Sequence, residues 1–557
     1  MLRIKIVSSQ EKIFLDDNID SFSPLREISA LGGERVSVQL LHIDDGKPPL
    51  EKRRPQVDIA LSGELAKYAT LRDVRCVPAD RPVVPGETDD NYLREDIGLY
   101  PDILTPLRYG GKIVPSLKKL RAVWVEIQIP KDYSGECEIS FAVNDTENGI
   151  QLTDSFTLRV IAAPLPEQRL LFTQWFYPDC LASYYNVEPW CERHWEITEN
   201  FISCAVKRGR NVMYTPLLTP LLNVNEPFER VPCQLVGITL SDGKYSFDFS
   251  RVDRWVNMCD ALGVKYFEIS HFYTQHDALG TAHVYATVDG EYRKIFGWGD
   301  SSEDPRYVTF LRELLTAFIA HARDRGFGER LIFHIADEPN ADTIERYTRV
   351  KNNIADILRG YVIMDALSDV EFYSSGAVGV PVPTTTSAMD FINAADPWLW
   401  VYYACNQLVD CSNAYVAMPS WRTRSIGMQL YKYNAAGFLH WGYNYYNNRK
   451  SGDAINPFID LSGEDWVPAG DTFVVYPDSN GTPLESLRIM TLEEALQDIR
   501  AMQLCESYYS HSEVVSFMEE ALGDEITFNR CAKSADEMLR VRAKINEMIE
   551  RAIASKI

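Results

Sequence analysis

Two adjacent carboxylates directly follow an apolar run in the segment LIFHIADEPN, residues 331–340. When both are ionised, Asp337 and Glu338 repel each other, and burial at a strand end adds a desolvation penalty. Such a pair has a chemical use, because a neighbouring anion raises the pKa of a carboxyl group and so keeps a proton available for general acid–base chemistry near neutral pH. A structural role is also open at this point, since the pair could cap the next helix or bind an arginine.

The same dipeptide occurs twice more, at Asp524-Glu525 and Asp536-Glu537, where its surroundings indicate a structural role. The first of these follows a glycine in a polar turn, which is typical of a solvated loop. The second lies in the first turn of a predicted amphipathic helix over residues 534–557, where the helix dipole favours acidic side chains. Only the pair after the apolar run is therefore a candidate site.

The charge balance of the chain limits its partners. The 557 residues carry a formal net charge of −23, with 46% hydrophobic and 24% charged residues, as in ordinary globular proteins. Nucleic acids and anionic membrane surfaces both attract positive charge, so this balance argues against either partner. A neutral or weakly charged substrate fits it. No phosphate-loop, dinucleotide-binding or G-x-S-x-G pattern is present, so we expect no cofactor.

The start of the chain and its cysteines predict the compartment. The first twenty residues contain a short apolar run that Lys5 and several acids interrupt, unlike a secretory signal. No run of about 18 apolar residues could span a membrane. The eleven cysteines show no C-x-x-C pair, and His271 and His276 lack a third ligand nearby in the sequence. We therefore expect a cytoplasmic protein with reduced thiols and no metal site, while the oligomeric state is open.

Up to residue 165, apolar and polar residues alternate within short segments that turn residues separate. In RAVWVEIQIP, the apolar residues from Val123 to Ile129 share one face of a predicted strand. Strands with this spacing and few helical patterns between them are typical of a β-sandwich.

After LPEQ, near residue 166, strand-like and helical patterns alternate along the chain. Such alternation is typical of parallel strands joined by crossover helices. Seven strand-like segments are visible, and an eighth can be placed in a stretch crowded by glycine and proline. The seven segments are 171–177, 211–217, 264–272, 331–336, 361–367, 399–405 and 437–444, and the eighth is 376–386. Eight units predict a (β/α)8 TIM-like barrel rather than an open sheet.

The predicted fold is therefore multidomain, with an all-β part and an α/β part. We assign residues 1–165 to the β-sandwich, 166–490 to the barrel as catalytic domain, and 491–557 to a C-terminal helical segment packing on the barrel. In such a barrel, active sites lie where the strands end and the following loops begin. Asp337 and Glu338 follow the fourth predicted strand, which places both at that rim.

Aromatic residues gather at several of these strand ends. Between Trp398 and Tyr446, 13 of 49 residues are aromatic, against 11% in the whole chain. Flat aromatic rings stack on the CH faces of sugars, while carboxylates and amides bind sugar hydroxyls. The pattern favours a sugar site around the carboxylate pair. The predicted substrate-binding residues are Trp175, His271, Tyr273, Trp298, Tyr402, Tyr403, Trp441 and Asn444.

Four segments of the chain resemble a known family. They are YPDILTPL (100–107), ADEPN (336–340), GFLHWGYNYY (437–446) and GDTFVVYPDSNGTPLESLRI (470–489). These segments are similar to those of glycoside hydrolase family 123 and the related DUF4091 group, and the resemblance extends from the first sandwich strands to about residue 500. It implies a β-sandwich followed by a (β/α)8 barrel, and a β-N-acetylgalactosaminidase that uses its Asp-Glu pair in substrate-assisted catalysis.

The resemblance also implies a role for each acid. Glu338 would protonate the leaving oxygen and then activate water, and Asp337 would orient the 2-acetamido group of the substrate and stabilise the intermediate. Two other functions are open on the sequence alone. One is a glycosidase of another specificity, in which Glu338 works with a distant carboxylate such as Asp365. The other is a non-catalytic carbohydrate-binding protein on a barrel scaffold.

Overall fold

The computed structural model of the chain describes residues 1–46, 56–146, 148–222, 224, 227–392 and 398–555. Its strands are, in chain order, β1 (Leu2–Ser8), β2 (Glu27–Gly32), β3 (Arg35–Asp44), β4 (Val57–Ser62), β5 (Ala69–Ala79), β6 (Gly98–Pro106), β7 (Lys112–Ile113), β8 (Arg121–Gln128), β9 (Gly135–Asp145), β10 (Ile150–Pro164), β11 (Leu171–Gln174), β12 (Val212–Thr215), β13 (Gly237–Ser241), β14 (Lys244–Asp248), β15 (Tyr266–Ile269), β16 (Val284–Val288), β17 (Glu291–Phe296), β18 (Leu331–Phe333), β19 (Val362–Ala366), β20 (Val380–Val382), β21 (Trp400–Tyr402), β22 (Gly437–His440), β23 (Val475–Pro477) and β24 (Pro483–Glu485). Its α-helices are α1 (Pro178–Tyr185), α2 (Glu192–Lys207), α3 (Ser250–Leu262), α4 (Pro305–Asp324), α5 (Ile344–Asn352), α6 (Val370–Ser374), α7 (Ala388–Ile392), α8 (Ser420–Arg424), α9 (Ile426–Lys432), α10 (Leu487–Glu506), α11 (His511–Leu522) and α12 (Ala535–Ala554). Short 3-10 helices lie at Ile19–Ser21, Ala66–Tyr68, Gly328–Arg330, Ala341–Thr343 and Arg449–Ser451.

Two compact units divide the chain. The first comprises Met1–Arg169, Leu408–Lys432 and Leu484–Ile557, and the second comprises Leu170–Gln407 and Tyr433–Pro483. The domain boundaries expected from the sequence, at about residues 165 and 490, stay a prediction of domain organisation.

Two five-stranded sheets form the N-terminal β-sandwich, which confirms the predicted fold of this region. The strand order is β1-β3-β8-β5-β6 in one sheet and β2-β10-β9-β4-β7 in the other. Inward-facing side chains of both sheets, such as those of Leu40 and Phe141, belong to one apolar core. The alternate residues from Val123 to Ile129 all lie in this core, as the period-two pattern predicts.

A buried ion pair joins two of the segments that carry the family resemblance. Arg488, near the start of α10, donates from Nε to Asp102 Oδ1 at 3.0 Å and from Nη2 to Asp102 Oδ2 at 2.8 Å. Asp102 belongs to the segment 100–107 and Arg488 to the segment 470–489. Because removing one charge would leave its partner buried and unpaired, this bidentate pair fixes the two segments in one geometry.

The C-terminal helices belong to the same compact unit as the sandwich. Helices α10, α11 and α12 contact one another, and α12 also contacts β2 and β10. Ser534 caps α12 by accepting a hydrogen bond from the backbone N–H of Glu537, and the apolar stripe from Met538 to Ala552 is buried. Because these apolar faces pack on each other and on the sheets, the structure groups the helices with the sandwich. The expected packing of residues 491–557 on the barrel stays a prediction.

Eight parallel strands form a nearly closed barrel, as the alternating pattern predicts. Their order is β20-β19-β18-β15-β12-β11-β22-β21. The two end strands meet through backbone hydrogen bonds from Thr385 N to Tyr402 O at 2.8 Å and from Tyr402 N to Pro383 O at 3.0 Å. The segment 376–386, crowded by glycine and proline, supplies the sixth strand, β20.

Four further strands form a small sheet that the sequence analysis did not predict. Strands β13 and β14 pair as one antiparallel hairpin, β16 and β17 pair as another, and β13 pairs with β16 in parallel. Their turns are Asp242-Gly243, with φ angles of 50° and 72°, and Asp289-Gly290, with φ angles of 50° and 90°. A two-residue hairpin turn requires this left-handed backbone, which Asp-Gly adopts at little cost.

Within the described ranges, none of the helices is both long enough and apolar enough to cross a membrane. All eleven cysteines are free thiols. Burial raises the pKa of several of them, that of Cys505 to about 12, so these thiols stay protonated near neutral pH.

Candidate active site

Asp337 lies just beyond β18, at the carboxyl end of the fourth barrel strand. The side chain is buried, and Gln275 Nε2 donates a hydrogen bond of 2.8 Å to Asp337 Oδ2. The backbone N–H of His276 donates to the carbonyl oxygen of Asp337 at 2.7 Å. The loop that follows β15 therefore holds both the side chain and the backbone of this acid.

Glu338 adopts a left-handed backbone conformation, with a φ of 49°. This conformation is uncommon for residues other than glycine and stores on the order of 1 kcal/mol of strain. It turns the chain directly before Pro339, where a regular strand would send neighbouring side chains to opposite sides. Because of this turn, Asp337 and Glu338 line the same cavity.

The carboxylate of Glu338 has a partner for each oxygen. The hydroxyl of Tyr402 donates a hydrogen bond of 2.6 Å to Oε1, and His276 Nδ1 lies 3.6 Å from Oε2. The Glu338 side chain is 37% exposed, whereas the whole of Asp337 is only 6% exposed. The two neighbouring acids thus occupy different environments, one open to solvent and one enclosed, which is how one site assigns two roles to similar groups.

Opposing electrostatic effects act on Asp337. Burial raises the pKa of Asp337 well above its usual range, and the negative charge of Glu338 raises it further. The positive charge of His334 and the hydrogen bond from Gln275 lower the same pKa. Burial and the charge of Glu338 also raise the pKa of Tyr402, so its hydroxyl stays protonated and can donate to Glu338.

The carboxylate pair opens into a cavity with a volume of about 80 Å³ within the barrel unit. Ligand pockets usually hold about 300 to 1,000 Å³, so a bound sugar ring would extend from the enclosed part into the open mouth. Among the described residues that line the cavity, Asp337 and Glu338 are the only carboxylates. The other lining residues are Trp175, Leu222, Gln275, Ala366, Tyr402, Ala404, Cys405, Leu439, Trp441 and Trp466.

Two of the three indole rings at the cavity are fixed by buried carboxylates. Trp175 Nε1 donates to Glu268 Oε1 at 2.7 Å, and Trp441 Nε1 donates to Asp471 Oδ2 at 2.8 Å. A Cβ atom on Gly442 would lie 2.4 Å from the carbonyl oxygen of Asp471, so this close approach requires glycine. Both rings are therefore held in place at the cavity, and both are buried, with Trp175 1% and Trp441 7% exposed.

A buried ion network lies next to Trp175. His334 Nε2 is 2.6 Å from Glu268 Oε1, and His334 Nδ1 is 3.3 Å from Asp365 Oδ1. Asp365 also accepts a hydrogen bond from the hydroxyl of Tyr347. Burial alone would lower the pKa of His334, but the hydrogen bonds to Asp365 and Glu268 raise it to about 10. His334 is therefore a buried imidazolium that bridges two carboxylates.

One group of side chains could be considered for a metal ion. Ligand atoms of His271, His334 and Asp365 lie within 4.8 Å of one another. Both nitrogens of His334 already contact carboxylates, and the rings of His271 and His334 stack at 4.4 Å with planes only 26° apart. Stacked rings direct their nitrogens side by side instead of towards one point, so we assign this group to the ion network.

Three of the residues predicted to bind substrate line the cavity, namely Trp175, Tyr402 and Trp441. The described lining residues do not include the other five, which are His271, Tyr273, Trp298, Tyr403 and Asn444. The structure gives these five residues packing contacts instead.

The contacts of these five residues explain their positions. Tyr403 packs edge-on against Phe438 at 5.0 Å, and Tyr273 packs against Tyr307 at 5.8 Å. Trp298 stacks on His283 at 3.8 Å.

Asn444 uses its amide to bridge the backbone of a neighbouring strand end, since Oδ1 accepts from Tyr177 N at 2.9 Å and Nδ2 donates to Tyr177 O at 3.0 Å. His271 accepts or donates a hydrogen bond at Nδ1 with the hydroxyl of Tyr214, at 2.9 Å. Burial lowers the pKa of His271 well below its usual range, and the charge of His334 adds to the effect, so the ring is neutral.

The sequence analysis did not select Gln275 or Trp466, although both line the cavity. Gln275 lies in a loop without periodicity, four residues after His271. Trp466 stands four residues before the Gly470-Asp471 segment that carries the family resemblance, and its ring lies 5.6 Å from that of Trp441. Its position next to that segment was the available signal.

A parallel eight-stranded barrel with an enclosed acid, a solvent-facing acid and three indole rings at one cavity fits a glycoside hydrolase. Comparison with known proteins specifies the class further. A family model described as the catalytic domain of glycoside hydrolase 123 matches residues 175–505. The chain belongs to glycoside hydrolase family 123 and is therefore a hydrolase of glycosidic bonds.

Solved structures support the fold. A family 123 glycoside hydrolase from Clostridium perfringens, studied for glycolipid glycan hydrolysis, has a TM-score of 0.77 at 16% identity, with 100% of both chains covered. A β-glucuronidase from Parabacteroides merdae has a TM-score of 0.32 at 10% identity, and the match covers 90% of this chain and 51% of the β-glucuronidase chain. This TM-score is too low to carry an argument. A search of curated proteins found no match.

Proposed function

We propose that the chain is a retaining exo-β-N-acetylgalactosaminidase that acts by substrate-assisted catalysis. In this reaction the oxygen of the substrate's 2-acetamido group attacks the anomeric carbon as the leaving oxygen departs. Water then opens the resulting oxazolinium ion and restores the original configuration.

The observation that carries the proposal is the distribution of carboxylates. In a conventional two-carboxylate mechanism, the second carboxyl group stands across the anomeric carbon from the acid, about 5 to 9.5 Å away. Among the described residues that line the cavity, no acid besides the adjacent pair is present. Asp365 binds His334 and Tyr347 instead, which disfavours it as a distant nucleophile. The acetamide of the substrate can supply the missing nucleophile.

Glu338 is suited to proton transfer. Its carboxyl group lines the cavity, reaches solvent and is oriented by the hydroxyl of Tyr402. In the first step Glu338 gives its proton to the leaving oxygen, and in the second it takes a proton from the attacking water.

Asp337 is suited to hold the acetamide. Its buried carboxylate can accept a hydrogen bond from the acetamide N–H and so direct the acetamide oxygen towards the anomeric carbon. As positive charge develops on the oxazolinium ring, the fixed anion of the enclosed Asp337 side chain stabilises it. Trp175 and Trp441 would contact the CH faces of the sugar.

The substrate class follows from this requirement for an acetamide and from the likeness to the Clostridium perfringens enzyme, which is studied for glycolipid glycan hydrolysis. We propose that the substrate of this chain is a glycan or glycoconjugate that ends in β-linked N-acetylgalactosamine.

Substrate comparison tests the proposal directly. We expect the protein to hydrolyse nitrophenyl β-N-acetylgalactosaminide and to leave nitrophenyl β-galactoside nearly untouched, because only the first carries the nucleophile. A galactosamine-derived thiazoline, which imitates the oxazolinium ring, should bind at least about 10²-fold more tightly than N-acetylgalactosamine. Rapid hydrolysis of the nitrophenyl β-galactoside, together with no tight binding of the thiazoline, would rule out acetamide participation.

We expect Tyr402→Phe to lower kcat by about 10-fold to 100-fold, because the variant loses one hydrogen bond to a charged group and leaves Glu338 less oriented. Steady-state kinetics on the nitrophenyl N-acetylgalactosaminide measure the change. Tyr403→Phe is the matched control, since the neighbouring tyrosine packs against Phe438 instead. Equal losses in both variants would contradict the proposed contact.

We expect His334→Gln to move the acidic limb of the kcat/KM profile to higher pH. The charge of His334 lowers the pKa of Asp337, so its removal raises that pKa, and Asp337 then ionises only at higher pH. Tyr347→Phe is the control, because it removes a hydrogen bond of Asp365 without removing a charge. If the acidic limb of His334→Gln stays at the same pH or moves to lower pH, the imidazolium of His334 does not act on Asp337.

A further inference from the structure

A second polar cavity lies at one end of the β-sandwich, where Ile113 of the apolar core is one of its lining residues. Its volume is about 190 Å³, and four cations line it, namely Arg75, Arg108, Lys112 and Arg121. Asp73 is the only carboxylate among the described lining residues. Such a concentration of positive charge is unusual in a chain whose net charge is −23, because the average surface carries more acids than bases.

Inward-facing strand positions build this cavity. His42 lies two residues after Leu40 on β3, and Arg121 lies two residues before Val123 on β8, so both continue the faces that form the apolar core. His42 and Arg121 are also directly opposite each other in the register of the two strands. The core therefore changes from apolar to cationic at this end of the sandwich.

His42 at the cavity wall has unused hydrogen-bonding capacity. The residue is only 2% exposed, and neither ring nitrogen has a hydrogen-bond partner. Burial, with the charge of Arg121 as a second cause, lowers the pKa of His42 to about 3, so the ring is neutral and keeps one donor and one acceptor. A buried polar group without a partner is rare and needs an explanation, which a bound ligand would supply.

Two of the four cations, Arg108 and Arg121, act on Asp73 only at longer range. Burial raises the pKa of Asp73, and the charges of Arg75, Arg121 and Arg108 oppose that rise. Arg121 Nε also donates to Ser116 Oγ at 2.9 Å. Arg75 donates to Asp73 at 2.8 Å, and Lys112 lies 3.2 Å from Asp58. Among the described residues, no carboxylate forms an ion pair with Arg108 or Arg121. A planar guanidinium binds carboxylate and sulfate oxygens through paired hydrogen bonds, so these two arginines are suited to an oxyanion.

An exposed aromatic ring stands at the edge of the same cavity. Tyr109 is 55% exposed and has a φ of 52°, followed by Gly110 and Gly111 with φ angles of 71° and 94°. Backbone hydrogen bonds to Arg108 O from Gly111 N at 3.1 Å and from Lys112 N at 3.0 Å close this turn. The tight turn places Tyr109 beside the cations. An exposed aromatic ring of this kind can stack on a pyranose.

We propose that this end of the sandwich binds an acidic saccharide. The face of the sugar ring rests on Tyr109, and its sulfate or carboxylate group enters the cavity towards Arg108 and Arg121. The site lies within the sandwich unit and uses no residue of the barrel cavity, so the inference is independent of the function proposed for the barrel.

Isothermal titration calorimetry on the full chain tests the inference, with galactose 6-sulfate and galacturonic acid as probes and galactose and inorganic sulfate as comparisons. We expect at least one of the two acidic sugars to bind at least about 10-fold more tightly than galactose or sulfate. The acidic sugar that binds more tightly identifies whether the site recognises a sulfate or a carboxylate group. We also expect Arg108→Gln and Tyr109→Ala each to weaken binding by about 10-fold or more, because one loses a charged hydrogen bond and the other a stacked ring.

Lys67→Gln and Tyr68→Ala are matched controls, because this exposed cation and exposed tyrosine lie in the same unit but do not line the cavity. Both should bind the acidic sugar as the unmodified chain does, and all four variants should hydrolyse a neutral nitrophenyl substrate normally. Failure of both acidic sugars to bind would overturn the proposal. Equal affinity for inorganic sulfate, with no effect of Tyr109→Ala, would also overturn it, because the site would then recognise an anion without a sugar.

Discussion

Glu338→Gln should reduce kcat/KM by about 10² to 10⁴-fold on an oligosaccharide that ends in N-acetylgalactosamine, and much less on a nitrophenyl glycoside. The physical reason is the basicity of the leaving group. A sugar alkoxide departs only with a proton, whereas a nitrophenolate is stable without one. The amide of glutamine keeps the size of the side chain and its contact with the Tyr402 hydroxyl but has no proton to give.

The measurement is a comparison of both substrates for Glu338→Gln and for a matched control. Glu345→Gln serves as control, because this glutamate is 91% exposed on α5 and does not line the cavity. Thermal melting of both variants separates a chemical loss from a loss of folded protein. A Glu338→Gln variant that loses the same factor on every leaving group would show that Glu338 is not the proton donor.

The barrel illustrates how far periodicity alone predicts a fold. Parallel strands buried on both faces produce apolar runs that repeat at regular intervals between helices. This pattern can be recognised in a single sequence. The same logic located the carboxylate pair, because a barrel places its chemistry where strands end. The small sheet of β13, β14, β16 and β17 was missed, although the turns Asp242-Gly243 and Asp289-Gly290 between alternating residues are a recognisable hairpin signal.

Side-chain direction limited the prediction of the cavity. Tyr402 and Tyr403 are neighbours at the end of β21, and alternation sends them to opposite sides. Tyr402 reaches Glu338, whereas Tyr403 packs against Phe438. The position of a residue at a strand end predicts that it lies near the mouth of the barrel, but not whether its side chain points into the cavity. Without a known register, both tyrosines are therefore predicted to belong to the site.

Polar side chains near the cavity can also form hydrogen bonds to the backbone instead of to a substrate. The sequence predicts Asn444 as a ligand of a sugar hydroxyl, yet both its amide oxygen and its amide nitrogen bind the backbone of Tyr177. Conversely, Gln275 contacts the side chain of Asp337 from a loop whose sequence has no period. Such contacts depend on how distant segments meet, which composition and spacing do not encode.

Asp337→Asn should lower kcat by about 10² to 10³-fold for good and poor leaving groups alike, the scale of losing one preorganised electrostatic contact in a transition state. The proposed role of Asp337 is to orient the acetamide and stabilise the oxazolinium charge, and both tasks precede or accompany bond cleavage whatever the leaving group is. Asparagine keeps the shape and can still contact Gln275, but it carries no negative charge.

The pH dependence supplies a second test of the same residue. Burial and the charge of Glu338 raise the pKa of Asp337, so ionised Asp337 is lost as the pH falls towards that pKa, and the activity of the unmodified chain should fall with it. Asp337→Asn has no such group, and its residual activity should lack this acidic limb. A variant that kept the limb would show that the limb belongs to another group, and one that lost activity only on poor leaving groups would assign proton donation to Asp337. The nucleophile would then have to be sought among groups other than the acetamide, because the anion that directs it would be absent.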